Sequence, residues 1–282
     1  MAELFDLFNY GFMVRALMAG ALVGIICPAL GTFLVLRRLS LIADTLSHVA
    51  LAGVAAGIYL KVAPFGVAIG ASVVVAIAIE WLRSTGRLFG EAALALFLYA
   101  ALAVAVVLIS LGQGFNANLF GYLFGSIVTV GESDLWLIGG IAVAVVVMVL
   151  ALYPELMQTA FDQDLAVVSG LRVERVNFLL AALTGVAVAL SMRIVGILLV
   201  GALMVIPVLS SLQISRGFRM TVLVAVGSGL LSVLSGLIMA YYLGLAAGGA
   251  IVLMALGLLV LSLLIKQGRR VVTRAGSAGR SR

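Results

Sequence analysis

Residues 92–111 read AALALFLYAALAVAVVLISL, a run that contains no charged side chain. A helix needs about 20 mostly apolar residues to cross the hydrocarbon core of a membrane, so this run predicts a spanning helix. Comparable runs recur along the chain of 282 residues, of which 65% are hydrophobic and 10% are charged. Soluble domains carry about 25% charged residues. The composition therefore excludes a soluble globular protein and predicts a chain that crosses the membrane many times.

The predicted fold is an all-α polytopic membrane protein, a bundle of about nine transmembrane helices with eight as the alternative count. The alternation of a β-barrel is absent from the sequence, so the backbone polar groups must be satisfied within helices. Residues 119–130 are too short to cross and are expected to be re-entrant or interfacial. The predicted spans, each good to a few residues, are 11–36, 39–60, 64–82, 88–112, 132–154, 176–192, 194–214, 220–243 and 248–266.

The cationic residues lie in short clusters between the apolar runs, which argues against nucleic acid as a partner despite a net charge of +6. Alternating the predicted spans across the membrane places these clusters on one side, with Arg15, Lys61 and Arg193 as the exceptions. The positive-inside rule makes that side cytoplasmic and puts the N-terminus outside and the C-terminus inside. The clusters are Arg37 and Arg38, Arg83 and Arg87, Arg172 and Arg175, Arg216 and Arg219, and the cations from Lys266 onward.

Two domains are expected, divided at residue 266. Residues 1–266 form the transmembrane domain. Residues 267–282 are basic and rich in Gly and Ser, and they are expected to be a disordered cytoplasmic tail beside anionic lipid.

A carboxylate and an imidazole share one face of the second predicted span. His48 is the only histidine of the chain, and Asp44 precedes it by one helical turn. A charged side chain in hydrocarbon costs at least about 2.5 kcal/mol, so an acid there usually faces a cavity, an ion or a partner. Imidazole nitrogen together with carboxylate oxygen suits zinc, manganese or ferrous iron. Asp44 and His48 are therefore candidate metal ligands.

An alternative is that Asp44 hydrogen-bonds only to His48, Thr45 or Ser47. The metal hypothesis also needs further ligands, because one Asp and one His make half of a tetrahedral site. Cys27 lies in an apolar run and is expected to be a core residue. Two facing copies of the chain would supply two Asp and two His.

Proline and glycine mark the spans that are expected to bend or to pack closely. Pro28 and Pro207 lie inside predicted spans, where each removes a backbone hydrogen bond, and bent helices in membranes commonly line cavities. Gly201 precedes Pro207 and joins these prolines as a candidate pathway residue. Glycines four residues apart predict close helix contacts, and these are Gly20 and Gly24, Gly53 and Gly57, and Gly66 and Gly70.

Other chemistry in the sequence is sparse. The phosphate-loop pattern GxxxxGK[ST] is absent from the sequence, so ATP hydrolysis by that route is not expected of this chain. Ser228 lies between two glycines in an apolar run, as the serine of an intramembrane peptidase can, with His48 as its base; helix packing is the alternative role. The loop 158–175 contains an amphipathic piece that either docks into a partner's groove or is a solvated connector.

Four segments, in the expected order, resemble the membrane permease subunits of bacterial ABC transporters that import zinc, manganese or iron. The first contains the Arg37–Arg38 pair and the DxxSH pattern of Asp44 to His48, with Ala43 where relatives often have Gly. The others are the coupling segment 159–171, the Gly- and Pro-containing span 192–207, and the last turn and helix 241–252. The resemblance covers about residues 11–266, and the fold is similar in plan to vitamin B12 and siderophore permeases.

The resemblance implies a homodimeric permease in the bacterial inner membrane, with two cytoplasmic ATP-binding subunits and an extracytoplasmic metal-binding protein as partners. It implies a transport function without enzymatic chemistry or a permanently bound cofactor, and Asp44 and His48 as ligands of the transported ion. The segments 44–53 and 122–127 look most similar to zinc permeases, while manganese, iron and an ATP-independent metal transporter remain alternatives. Its implied ATPase-coupling residues are Phe161, Asp162, Asp164, Leu165, Gly170 and Leu171.

Overall fold

The computed structural model describes residues 10–112, 117–125 and 131–278. All regular elements in these ranges are α-helices, which confirms the predicted all-α class. They are α1 Gly11–Leu36, α2 Ile42–Tyr59, α3 Pro64–Ser84, α4 Gly90–Leu111, α5 Ala117–Phe124, α6 Glu132–Ala151, α7 Tyr153–Phe161, α8 Gln163–Val168, α9 Val173–Ser191, α10 Val200–Ile214, α11 Phe218–Leu243 and α12 Ala247–Ala278.

Seven of the described helices are long and apolar enough to cross a membrane: α1, α2, α3, α4, α9, α11 and the part of α12 up to Gln267. The helix α6 and the following α7 are bent by 68° relative to each other and make an eighth candidate if they count as one span. The chain is thus a multi-pass membrane protein, as predicted.

The predicted span 194–214 is shorter in the structure, because α10 begins only at Val200. Residues 192–199 form turns whose backbone groups bond to α5 instead of continuing a helix. The Ile197 amide donates to the Tyr122 carbonyl at 2.9 Å, and Gly196 has a φ of 84°, a conformation that a regular α-helix does not contain. The eight-residue α5 is itself too short to cross, as expected for this stretch, and residues 126–130 lie outside the described ranges.

The last described helix extends past the predicted domain boundary. The helix α12 continues to Ala278, so no break in secondary structure marks residue 266. The division of the chain into a transmembrane domain and a basic tail stays a prediction.

The helix α1 is mostly buried and packs against α6, α7, α9, α10 and α11. Four of the predicted glycines allow close approaches: Gly20 and Gly24 lie against α11, and Gly53 and Gly57 lie against α3. A Cβ at Gly53 would lie 2.6 Å from the Ala68 Cα, so no larger residue fits without movement. The prediction of a close contact was wrong for Gly66 and Gly70, because no described atom lies within 4 Å of a Cβ built at either position.

Contacts between helix ends define the two ends of the bundle. At the arginine-rich end, Arg83 pairs with Glu80 and the Lys266 ammonium donates to the Gln213 side chain at 2.7 Å. Arg37 lies near Arg83 and Glu80 at the same end. At the opposite end, the Arg15 guanidinium lies 3.6 Å from the Glu132 carboxylate. The clustering of cations at one end agrees with the charge pattern, and the orientation relative to the cytoplasm stays a prediction.

Candidate metal site

The two candidate ligands lie at the beginning of α2. Asp44 is in the first turn and His48 is one turn later, and both side chains are half-buried. The first turn of a helix carries a partial positive charge, which favours a carboxylate there. The turn 37–41 between α1 and α2 includes Arg38 at a φ of 60° and brings Asp44 close to the arginine-rich end.

The neighbouring hydroxyl groups bond elsewhere than to Asp44. The Thr45 hydroxyl lies within bonding distance of the Leu41 carbonyl (3.1 Å) and the Leu94 carbonyl (3.3 Å). The Ser47 hydroxyl donates to the main-chain carbonyl of Asp44 at 2.7 Å. Among the described residues, none bonds to the Asp44 carboxylate or to the buried Nδ1 of His48. The polar pair is therefore not satisfied by its own neighbours, contrary to the alternative in which Asp44 bonds only within α2.

One copy of the chain supplies only part of a metal site. Within residues 10–112, 117–125 and 131–278, no group of three or more His, Cys, Asp or Glu side chains could hold an ion. Cys27 is fully buried and its sulfur lies 2.9 Å from the Ser191 hydroxyl, as expected of a core residue. Within the described ranges, Asp44 and His48 are thus joined by no third ligand of these residue types.

The first turn of α10 lies beside Asp44. A Cβ built at Gly201 would lie 3.5 Å from the Asp44 Cβ, which is ordinary van der Waals contact. One turn further, the main chain of Met204 contacts Gly31 of α1 so closely that no side chain fits at position 31. The predicted pathway residue Gly201 is thus brought to the candidate ligands, and α10 connects them to α1.

Both predicted proline positions are buried inside helices, Pro28 in α1 and Pro207 in α10. Gly229 of α11 lies against the Pro28 ring and the Gly24 carbonyl, where a Cβ would clash. The adjacent Ser228 hydroxyl lies 3.3 Å from the Pro207 carbonyl and 3.0 Å from the Ala225 carbonyl. These bonds to main-chain carbonyls give Ser228 a packing role and offer nothing in favour of the peptidase hypothesis.

An apolar cavity of about 320 Å³ opens along α2 beyond His48. It lies between α2, α3 and α4 and is lined by residues such as Val49, Ala52, Phe97 and Val104. An ion needs polar ligands, so this cavity by itself is no path for a metal.

The predicted coupling segment forms a compact unit of two short helices at the arginine-rich end. Asp162 caps α8, because its Oδ1 accepts the Asp164 and Leu165 amides, each at 3.0 Å. Gly170 follows α8 with a φ of 85°, and Leu171 is half-buried. Large apolar side chains of the unit are nevertheless exposed, namely Phe161 at 67%, Leu165 at 70% and Val168 at 88%.

Two features near the arginine-rich end were missed in the sequence. Glu80 is buried inside α3 and pairs with Arg83 at 3.0 Å; an acid within the predicted span 64–82 was a signal of a partner. Phe218 contacts aromatic rings of both α1 and α7, and sequence offers no signal for this, because the contacts join distant parts of the chain.

The described helices thus form a bundle of membrane-spanning length with a polar pair at the start of α2. Residues 9–266 match the model of the ABC 3 transport family. The chain therefore belongs to this family, and the family resemblance inferred from its motifs is confirmed.

Relatives and a solved structure cover nearly the whole chain. The zinc uptake system membrane protein ZnuB of Haemophilus influenzae is 32% identical, over 90% of this chain and 97% of its own. The manganese transport system membrane protein MntC of Halalkalibacterium halodurans is 30% identical, over 95% of this chain and 92% of its own. The structure of PsaBC from Streptococcus pneumoniae in complex with a Fab matches with a TM-score of 0.83 and 29% identity, over 93% of this chain and 94% of the other.

Proposed function

We propose that the chain is the permease subunit of an ABC importer that carries a divalent transition metal ion into the cytoplasm. Zinc is the ion that we propose first, with manganese or iron as the alternative. Family membership and the relatives named for zinc and manganese transport support the class of cargo. The observation that carries the proposal is the polar pair in α2. A carboxylate and a buried imidazole nitrogen, one turn apart, both lack a hydrogen-bond partner among the described residues.

Unsatisfied polar groups in a membrane bundle are costly to keep, so they are expected to have a ligand in some state of the transport cycle. We infer that Asp44 and His48 replace water around the passing ion. Binding must remain weak enough for the ion to leave again, as conduction requires. The beginning of α10 beside Asp44 completes the surroundings of the ion through Gly201, which brings the main chain near without adding a side chain.

A second copy of the chain is the proposed source of the missing ligands. Two Asp and two His would make a four-ligand set, which is ordinary for zinc and is also accepted by manganese and ferrous iron. The absence of a third ligand in the described part of one copy supports this arrangement. The ion is cargo in this proposal, and the protein holds no permanently bound cofactor.

Energy would come from cytoplasmic ATP-binding subunits, because the sequence carries no phosphate-loop pattern of its own. The exposed apolar residues of α7 and α8 suit docking into a groove on such a subunit. We place this end in the cytoplasm of a bacterial cell by the positive-inside rule, with the N-terminus outside, and an extracytoplasmic metal-binding protein at the opposite end. An ATP-independent metal transporter is the alternative, and it would work without these partners.

The test is metal uptake by the complex with its ATP-binding subunit and binding protein in proteoliposomes, with zinc and manganese ions as separate probes. Asp44→Asn and His48→Gln keep the size of each side chain and remove its ligand chemistry. We expect each to lower uptake by more than about tenfold, because a lost ligand is not replaced. Co-purification with the ATP-binding subunit is expected to be unchanged.

Two control variants belong to the same experiment. Glu91→Gln removes an exposed carboxylate from the first turn of α4, and Ser228→Ala removes the hydroxyl that bonds main-chain carbonyls. Both are expected to keep uptake within about twofold of wild type, since surface and packing changes of this size are mild. Normal uptake by either the Asp44 or the His48 variant would disprove the site, and uptake without ATP would favour the alternative transporter.

A further inference from the structure

Four aromatic side chains form a cluster at the arginine-rich end. The Phe218 ring lies with its centroid 5.6 Å from the rings of Phe33, Tyr153 and Phe161, at interplanar angles of 55°, 56° and 58°. Phe218 is the first residue of α11, Phe33 lies in α1, and Tyr153 and Phe161 are the two ends of α7. One ring thus contacts three others that belong to two different helices.

The cluster joins the surface to the core. Phe161 is 67% exposed, whereas Phe33 is fully buried. Tilted aromatic pairs at this separation attract each other beyond the effect of their buried area. Because both ends of α7 contact the same ring, α7 cannot turn or slide without displacing Phe218. Close-packed interiors transmit such displacements instead of absorbing them.

Packing continues from this cluster to the candidate metal site. Phe33 is two residues from Gly31, which contacts the main chain of Met204 in α10. The same helix begins beside Asp44, through Gly201. A continuous series of packed groups therefore runs from α7 through Phe218, α1 and α10 to the ligand on α2.

We propose that Phe218 is a positioning residue that transmits movement of α7 to α1 and thereby to the surroundings of Asp44. This inference rests on the proposed function, in which an ATP-binding subunit docks on α7 and α8. It adds to that function a residue that contacts neither the ion nor the partner. Spatial continuity alone does not demonstrate coupling, so the test must measure coupling itself.

The experiment compares zinc uptake and ATP hydrolysis in the same proteoliposomes, with the full complex and saturating ATP-binding subunit. For Phe218→Ala we expect ATP hydrolysis within about twofold of wild type and zinc transported per ATP reduced at least about fivefold. Phe218→Tyr keeps the ring and is expected to restore the ratio. Phe89→Ala is the matched control, because Phe89 is 89% exposed and precedes α4 at the same end of the bundle.

A second variant protects the test against misfolding of Phe218→Ala. Tyr153→Leu keeps most of the volume and removes one ring of the cluster, and it is expected to lower zinc per ATP in the same direction. The double variant Tyr153→Leu/Phe218→Ala is expected to lose no more than Phe218→Ala alone, because both changes break the same connection. Additive losses would overturn the inference.

The outcomes separate this inference from the proposed function. If the wild-type complex shows no ATP-dependent zinc or manganese uptake, the proposed function fails and this inference falls with it. If the wild-type complex transports and both single variants keep the wild-type ratio of zinc to ATP, only the role of Phe218 is disproved.

Discussion

Glu80 stands between two arginines at the arginine-rich end of the bundle. It is 3% exposed, and its carboxylate accepts from the Arg83 guanidinium at 3.0 Å. Arg37 lies nearby, and its buried Nε and Nη2 find no hydrogen-bond partner within the described chain. Burial, followed by the positive charge of Arg83, lowers the pKa of Arg37 to about 10 against the opposing effect of Glu80. The single negative charge of Glu80 thus attracts two positive charges, those of Arg37 and Arg83.

Replacing Glu80 should therefore destabilise the fold. We expect Glu80→Gln to lower the free energy of unfolding by about 3 to 5 kcal/mol, the usual effect of leaving a buried charge without its partner. Thermal unfolding of the purified protein in detergent measures this. Glu91→Gln, an exposed acid of α4, is the control and should leave the unfolding temperature unchanged.

Arg37→Met should raise the free energy of unfolding or leave it unchanged, in contrast to Glu80→Gln. The folded-state pKa of Arg37 lies below its unfolded value, so the protonated group disfavours folding, and this penalty is fully present at neutral pH. An apolar side chain of similar length removes the penalty. A large loss of stability in Arg37→Met would show that the guanidinium has a partner that compensates its burial.

At the scale of residues, a polar group that interrupts an apolar run is a signal that the sequence itself provides. Asp44 and His48 could be proposed as a pair because charge is scarce inside predicted spans. Glu80 also interrupts a predicted span, so the same signal indicated a partner for its carboxylate. The bond of the Thr45 hydroxyl to the Leu94 carbonyl could not be predicted, because that carbonyl belongs to another helix. The Ser47 hydroxyl bonds to the main-chain carbonyl of Asp44 and not to its carboxylate.

At the scale of helices, one short segment of α11 packs against both helices that have a proline in their interior, α1 and α10. Gly229 makes room for Pro28 and Ser228 bonds the carbonyl of Pro207. A residue without a side chain is needed at 229, because the proline ring occupies the space of a Cβ. The fit of α11 to both α1 and α10 is thus a matter of shape.

The neighbouring glycines provide a matched pair of variants. Gly229→Ala forces a methyl group against Pro28 and the Gly24 carbonyl and should lower the free energy of unfolding by about 1 to 3 kcal/mol, as overpacking does. Gly227→Ala should be neutral or slightly stabilising, because nothing lies within 4 Å of its Cβ position. Thermal unfolding of both variants checks this, and equal effects would contradict the described packing.

Helix bounds were predictable to the extent that they follow the length of apolar runs. Predicted and observed ends of α1, α2 and α11 agree within a few residues. The predicted start of α10 was wrong because residues 192–199 are as apolar as a helix, but the amides of Ile197 and Leu198 donate to carbonyls of α5. A pairing between segments so far apart in sequence leaves no mark on local composition.

At the scale of the whole molecule, we proposed that a second copy of the chain supplies the missing ligands of the site. Mixed dimers with one wild-type protomer and one Asp44→Asn/His48→Gln protomer, isolated through two different affinity tags, distinguish shared from separate sites. We expect metal uptake to fall below about a tenth of the wild-type dimer, because a shared site loses half its ligands. Retention of about half of the uptake would show that each protomer binds its own ion.

The class of protein was predictable because composition, span length and cation clusters act on the whole chain. The described helices supply seven candidate spans, or eight with α6 and α7 as one, near the expected eight or nine. The arrangement of helices was not predictable. Two of the three predicted glycine pairs lie at close contacts, but their spacing could not say which helix each pair would meet. Gly66 and Gly70 face no neighbour in the described structure, whereas Gly31 and Gly229, which belong to none of those pairs, lie at the tightest crossings.

At the end opposite the arginine-rich end, α5, the turns 192–199 and the start of α12 contact one another through peptide groups. Gly125, Gly196 and Gly248 leave no space for methyl groups there, and two amides, of Ile197 and Leu198, bond across the seam. Parting it would break those two bonds, each worth roughly 1 kcal/mol. These bonds join main-chain groups only, so replacing the side chain of Ile197 or Leu198 leaves both donors in place.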